Sequence, residues 1–189
     1  MIAEPVDLKL HVLDGFATRT ARIGIVGMGY VGLPLALLFS NERFRVTGFD
    51  VAIDKVKKLN EGGSYIVRIA PEEIQEAQKA GFRATSNYAE IADMDAVIIC
   101  VPTPLNKYHE PDLSYVTNTA ESIAPYVHEG QLIVLESTTY PGTTEDVLVP
   151  IFENGNRRGL RVAHAVGDNG VHVAYSPERE DTGNDTVER

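Results

Sequence analysis

The chain has 189 residues, 43% of them hydrophobic, and a net charge of −10 at pH 7. That length suits one domain with a real core, or one domain plus a piece of another. The acidic balance argues against nucleic acid as a partner, no apolar run approaches a membrane span, and the single cysteine, Cys100, allows no internal disulfide, which suits a reducing compartment.

Met1-Ile2-Ala3-Glu4-Pro5 has neither the basic region nor the apolar core of a signal peptide, so a cytoplasmic location is expected. Residues 6–18 are expected to form a short helix outside the first strand. Ile23-Gly24-Ile25-Val26 then reads as a buried strand, and it runs into Gly27-Met28-Gly29-Tyr30-Val31-Gly32. The apolar stretch Val31 to Glu42 predicts a helix buried on most sides, with Pro34 in its first turn, where a missing N–H costs least.

Arg45 to Asp50 is the next strand, followed by Ile53, Val56 and Leu59 at helical spacing. Residues 64–70 form a loop. Pro71 to Ala80 is a helix with Glu72 and Glu73 in its first turn and Gly81 as its stop. A short strand starts near Phe82. Ala96-Val97-Ile98-Ile99-Cys100-Val101 is the clearest buried strand, ended by Pro102-Thr103-Pro104. Ser114 to Val127 is a helix, Gln131 to Glu136 a strand, and Thr143 or Thr144 is expected to cap a helix running to about Phe152. The last strand spans Val171 to Ser176 and ends in Ser176-Pro177-Glu178-Arg179.

Alternating strands and helices predict an α/β fold, a doubly wound parallel sheet of Rossmann type. Ligands of such sheets gather beyond the carboxyl ends of the strands. The glycine turn sits at the first of these ends. Gly27 allows the tight turn, Gly29 lets backbone approach a pyrophosphate, and Gly32 lets the helix pack on the strand. The N–H groups of the following helical turn can hold an anion. Gly27, Met28, Gly29, Tyr30, Val31 and Gly32 are therefore candidate cofactor contacts.

Asp50, at the end of the next strand, lies at the offset of a ribose-binding carboxylate and would repel a 2′-phosphate. NAD is thus favoured over NADP. The alternative for Asp50 is a solvated turn residue. Pro102, Thr103 and Thr138 lie at other strand ends. The two hydroxyls could contact the cofactor, position a water or simply cap a turn. Glu178 is a candidate general base or an exposed loop residue. Cys100, inside an apolar run without a cationic neighbour in sequence, reads as an inert structural thiol. The five histidines show no metal-ligand spacing, and no metal is expected.

Five motifs occur in a telling order: Gly27-x-Gly29-x-x-Gly32-Leu33-Pro34, Val101-Pro102-Thr103-Pro104, Asp112-Leu113-Ser114-Tyr115-Val116, Glu136-Ser137-Thr138-Thr139-Tyr140-Pro141-Gly142 and Ser176-Pro177-Glu178-Arg179. Together they resemble the UDP-glucose/GDP-mannose dehydrogenase family, most closely its branch acting on UDP-N-acetylhexosamines. The resemblance implies NAD-dependent, two-step oxidation of a sugar C6 alcohol to a carboxylate, through a cysteine-bound thioester that water cleaves. It implies cofactor contacts at Val31, Asp50, Lys55, Thr103 and Thr138. It also gives Thr138 a part in holding water, Glu178 a part in thioester hydrolysis, and Glu178 and Arg179 places beside the substrate. A homo-oligomer is implied for the whole protein.

The family's nucleophilic cysteine lies in a glycine-rich motif that this chain lacks, and Cys100 does not match it. Thr182 replaces the proline usual in the closest branch. The expected organisation is an extension at 1–20, an NAD-binding domain at 21–180 and a polar tail at 181–189 leading to a further part. The isolated chain is expected to bind NAD weakly and to show no turnover. The rival readings are a non-catalytic NAD-sensing module with a protein partner, and another NAD-dependent dehydrogenase of the hydroxyacid type.

Overall fold

Six short apolar runs are paired side by side into one parallel sheet, in the order β3-β2-β1-β4-β5-β6. The computed structural model describes residues 8–105, 107, 109, 111–163 and 170–177, and gives the backbone alone for residues 8–11. The strands are β1 (Arg22–Val26), β2 (Arg45–Phe49), β3 (Arg83–Thr85), β4 (Ala96–Ile99), β5 (Leu132–Leu135) and β6 (His172–Tyr175). Each begins within one residue of its expected start. The helices are α1 (Leu8–Ala17), α2 (Gly32–Asn41), α3 (Ile53–Asn60), α4 (Pro71–Lys79), α5 (Ser114–Ile123) and α6 (Val149–Gly155).

Alternation along the strands builds two cores. Ile23, Ile25, Val46, Ala96 and Ile98 face the layer that holds Leu33 and Leu37 of α2, Leu59 of α3 and Ile74 of α4. Val26, Phe49, Val97, Ile99, Ile133 and Leu135 face Val116, Ala120 and Ile123 of α5 and Phe152 of α6. Full burial of one Ile or Leu side chain is worth about 1.5–3 kcal/mol, so this double layer carries the fold.

The chain runs outward from β1 through β2 to β3, then returns to place β4 on the other side of β1. The sheet's switch point therefore lies between β1 and β4. There the register Val26↔Ile99 brings the two strand ends together, immediately before Gly27 and Cys100.

Four local differences from the sequence reading have physical causes. Helix α2 is less enclosed than its composition suggests: Leu38 is 44% exposed on its outer face, while Leu33, Ala36 and Leu37 are buried. Helix α5 tightens after Ile123 into a 3₁₀ turn (Ala124–Tyr126) containing Pro125, which cannot supply an α-helical N–H. Residues Tyr88–Asp93 form a 3₁₀ helix, capped by the Asn87 side chain accepting from the Ala89 N–H. Its short length leaves no periodic signal.

Finally, neither Thr143 nor Thr144 caps the segment before α6. Gly142, at φ +94°, takes that place, and the Thr143 hydroxyl donates to the Tyr140 carbonyl at 2.8 Å. The segment Thr143–Leu148 is wound as a π-helix ahead of Pro150. An α-type bond from residue 150 would need an N–H that proline lacks.

Candidate cofactor site

The turn after β1 is fixed by close backbone approaches. Gly27 sits at φ +96°, and a Cβ there would lie 2.7 Å from the Cys100 carbonyl oxygen. A Cβ on Gly32, the first residue of α2, would overlap the Gly27 carbonyl oxygen. Both positions need glycine for the fold itself. Gly29 differs: a Cβ there would meet nothing within 4 Å. The protein leaves that space in front of the first turn of α2. No side chain caps that turn, so the helix start faces outward in the way that suits a phosphate.

Asp50 is buried directly beside this turn, with 7% of its surface exposed. Its Oδ2 accepts from the Met28 N–H at 3.0 Å, and its Oδ1 accepts from the Ala52 N–H at 2.9 Å. Lys55 Nζ, from α3, stands 3.5 Å from the same Oδ2 and 5.5 Å from the centre of the Tyr65 ring. The solvated-turn alternative for Asp50 is thereby removed. A carboxylate offers about four acceptor positions, so the two N–H bonds leave capacity for a ligand.

Tyr65 completes this corner. Its hydroxyl donates to the Met28 carbonyl, so Met28 is held at both its N–H and its C=O. Burial pushes the Tyr65 phenol above its ordinary range, and the Asp50 charge adds to the shift. Tyr88, packed on Phe49 with ring centres 5.9 Å apart, is pushed up to about 12 by burial and then by Asp50. Tyr65 lies in a loop between α3 and α4, 37 residues from Met28, where no periodicity marks it.

On the other side of the switch point, a cleft is lined by Val31, Cys100, Val101, Pro102, Thr103, Glu136, Ser137 and Thr138. Thr103 Oγ1 donates to the Thr138 carbonyl at 2.7 Å, and Ser137 Oγ donates to the Val101 carbonyl at 2.6 Å. These bonds tie together the loops that follow β4 and β5. Thr103 thus spans the cleft rather than capping a local turn.

Cys100 is buried, as its apolar run implies, yet it stands one residue beyond β4 in the cleft wall. Its thiol donates to Glu136 Oε2 at 3.5 Å. Glu136 holds the equivalent place after β5. A charged residue directly following Leu132-Ile133-Val134-Leu135 was the signal that could have found it.

The structure therefore brings two groups of expected residues to one edge of the sheet. One is Gly27 to Gly32 with Asp50 and Lys55; the other is Val31 with Pro102, Thr103 and Thr138. Val31 belongs to both. Glu178 and Arg179 lie outside the described residues. Among the described residues, no cluster of His, Cys, Asp or Glu could hold a metal ion.

A glycine turn between a buried strand and a helix, with an acid at the end of the neighbouring strand and a switch point between, defines a Rossmann-type dinucleotide-binding domain. Residues 21–189 match the UDP-glucose/GDP-mannose dehydrogenase family, NAD binding domain. The chain belongs to that family and carries its NAD-binding domain; NAD is its cofactor. It is 37% identical over 168 residues to UDP-N-acetyl-D-glucosamine 6-dehydrogenase of Salmonella typhi, covering 89% of this chain and 37% of that protein. It is 38% identical over 162 residues to UDP-N-acetyl-D-mannosamine dehydrogenase of Escherichia coli K12, covering 84% of this chain and 37% of that protein. The crystal structure of a ternary complex of GDP-mannose dehydrogenase from Pseudomonas aeruginosa superposes with a TM-score of 0.75 at 31% identity, covering 85% of this chain and 37% of that one. The chain thus spans a little over a third of the length of these relatives.

Proposed function

We propose that this chain is the NAD-binding part of a nucleotide-sugar 6-dehydrogenase that oxidises the C6 alcohol of a UDP-N-acetylhexosamine to a carboxylate in two NAD-dependent steps. The observation that carries this reading is the joining of the glycine turn to Asp50, where Met28 N–H meets Asp50 Oδ2 at 3.0 Å beside an open space at Gly29. The likeness to relatives named for UDP-N-acetylglucosamine and UDP-N-acetylmannosamine supports the substrate class.

In this reading Asp50 accepts from the adenosine ribose hydroxyls, with Lys55 holding its carboxylate in place. The backbone of residues 27–32 and the start of α2 receive the pyrophosphate. Val31, Pro102, Thr103 and Thr138, which line the cleft on the other side of the switch point, would hold the nicotinamide half. Bound NAD supplies the hydride acceptor for both oxidations. Thr138 holds the water that later attacks the thioester, and Glu178 accepts that water's proton. Arg179 takes part in binding the sugar nucleotide.

The nucleophilic cysteine, most of the sugar pocket and the surfaces of a homo-oligomer belong to a further part of the protein. The domain occupies residues 21–180, between an extension and a polar tail. The isolated chain binds NAD and does not turn over.

The test is a substrate screen with the whole protein, following NADH absorbance. Two NADH per UDP-N-acetylhexosamine, with a uronate as product, is the expected result. One NADH per substrate, or preference for a small hydroxyacid, overturns the proposal. Steady turnover by the 189-residue chain alone overturns the division of labour.

A further inference from the structure

Beyond the last pair of β4 and β5, side chains take over from the backbone. The register ends at Ile99↔Leu135, and the Glu136 N–H donates to the Ile99 carbonyl at 3.0 Å. A parallel ladder carried further would give the Thr138 N–H to the Val101 carbonyl and the Thr103 N–H to the Thr138 carbonyl. Hydroxyls meet both acceptors instead. Ser137 Oγ donates to the Val101 carbonyl at 2.6 Å, and Thr103 Oγ1 donates to the Thr138 carbonyl at 2.7 Å. The Ile99 carbonyl is the more distant acceptor for Ser137, at 3.4 Å, and already receives the Glu136 N–H.

These two bonds cross the cleft in opposite directions, one from the loop after β5 and one from the loop after β4. A hydroxyl oxygen stands two bonds beyond its own Cα. It can therefore tie the loops together without closing them to the ladder spacing of about 4.8 Å. Three hydroxyls line the cleft, those of Thr103, Ser137 and Thr138. The first two are spent on the loops. Ser137 is buried, whereas Thr138 is exposed, and among the described residues the Thr138 hydroxyl has no hydrogen-bond partner. Thr138 is thus held through its own carbonyl by Thr103, and through the preceding residue by Val101.

We propose that Ser137 is a positioning residue: its bond to Val101 holds the loop after β5 so that the Thr138 hydroxyl orients the water that cleaves the thioester. The inference rests on the proposed reading of Thr138 and of the two-step oxidation. In that cleavage the water oxygen bonds to the thioester carbonyl carbon while its proton passes to Glu178. The C–S bond then breaks, the sulfur keeps the electron pair, and a carboxylic acid remains. Neither hydride transfer uses this water. Loss of the Ser137 bond therefore slows hydrolysis and spares both oxidations.

The test is rapid mixing of the whole protein with NAD and a UDP-N-acetylhexosamine, following NADH absorbance. Ser137→Ala is expected to form two NADH per active site at the parent's rate, then to turn over about tenfold more slowly than the parent, because a slight misplacement of a reacting group is costly. Its kcat/KM for the sugar nucleotide is expected to stay within about twofold of the parent's, since hydrolysis follows the oxidations. A merely structural loss would lower both. Mass spectrometry of the acid-quenched variant is expected to show the sugar nucleotide bound covalently to the protein. Ser137→Cys, a weaker donor of similar shape, is expected to fall between, and circular dichroism checks the fold of both. A slower first NADH, equal slowing of every phase, or an unchanged steady rate overturns the inference and leaves the dehydrogenase reading standing. One NADH per substrate in the parent overturns both.

Discussion

The Asp50 carboxylate accepts a hydrogen bond from the Met28 N–H at 3.0 Å, joining the end of β2 to the glycine turn after β1. Its other oxygen accepts from the Ala52 N–H at 2.9 Å. One side chain thus shapes the turn while holding acceptor capacity for a ribose. Bonds to a charged acceptor are worth about 1.5–3 kcal/mol each. Asp50→Ala is therefore expected to lower thermal stability measurably and to weaken NAD binding at least about tenfold. Asp50→Asn keeps one acceptor oxygen and is expected to lose less stability than affinity. Calorimetric titration with NAD alongside thermal melts checks both statements. Unchanged affinity in Asp50→Ala removes Asp50 from the ribose role.

The glycines of the turn divide into two kinds, and substitution separates them. Gly32→Ala drives a methyl into the Gly27 carbonyl, which is backbone and cannot swing aside. A loss of about 2–4 kcal/mol is expected. Gly29→Ala meets nothing within 4 Å, and Gly29 is not among the glycines with positive φ. Its stability should stay within about 1 kcal/mol of the parent, while NAD binding falls because the methyl occupies the ligand's space. Denaturant melts and NAD titration of the two variants give the comparison. A Gly29→Ala protein that binds NAD normally shows that the pyrophosphate does not pass there.

The expected β4 run, the glycine turn and the acid at the end of β2 were all legible because each is a local pattern. A buried parallel strand is apolar without interruption, and a tight turn demands glycine. The contacts that complete the site were not legible. Tyr65 meets Met28 across 37 residues, and Cys100 meets Glu136 across 36. Such contacts follow from sheet order and register, which a strand's own composition does not encode. Cys100 shows the limit well. Its apolar neighbours correctly implied burial, but its place one residue beyond the last paired position of β4 puts it in the cleft wall.

Alkaline stability should follow the two buried tyrosines. Burial, then the Asp50 charge, raises the Tyr65 and Tyr88 pKa values, Tyr88 to about 12. An unfolded tyrosine ionises near pH ~10. Below that pH both states are neutral and the full stability is present. Above it the unfolded chain loses protons that the folded chain keeps, so stability falls as pH rises from about 10 through the folded values. Absorbance titration of tyrosinate is expected to show most of the eight tyrosines ionising before these two. Tyr88→Phe is expected to flatten the loss of stability above pH ~10; an unaltered alkaline slope contradicts the assignment to Tyr88.

Acid stability runs the other way at Glu90. Burial acts to raise its pKa, but the hydrogen bonds from Arg83 and Thr85 outweigh it and the net direction is down. Arg83 stands 2.5 Å from one oxygen, and the Thr85 hydroxyl donates to the other at 2.8 Å. A depressed carboxyl contributes stability above its unfolded pKa of about 4.3, and that contribution is lost as pH falls through the folded value. Because Arg83 and Glu90 are partly exposed, screening keeps the effect small, below about 1 kcal/mol. Glu90→Gln should therefore lose stability at pH 7 but little below pH ~3. A loss equal at both pH values, read from urea melts, assigns the effect to packing instead.

Tyr65 supplies the sharpest separation of structure from binding. Its hydroxyl donates to the carbonyl of Met28, whose N–H is held by Asp50, so the turn is clamped from both sides. Lys55 covers the ring while approaching the same carboxylate. Tyr65→Phe keeps the ring and its packing and removes only the hydroxyl. The Met28 carbonyl then loses one partner, a cost of about 0.5–1.5 kcal/mol. If the clamp preorganises the turn for NAD, affinity falls as well, because binding must then order a looser loop. The expected result is a drop of about three- to tenfold in NAD affinity, accompanied by faster amide exchange at residues 28–32. Weaker binding without faster exchange points to direct contact between the hydroxyl and NAD, and faster exchange with unchanged affinity shows that the turn orders without cost on binding.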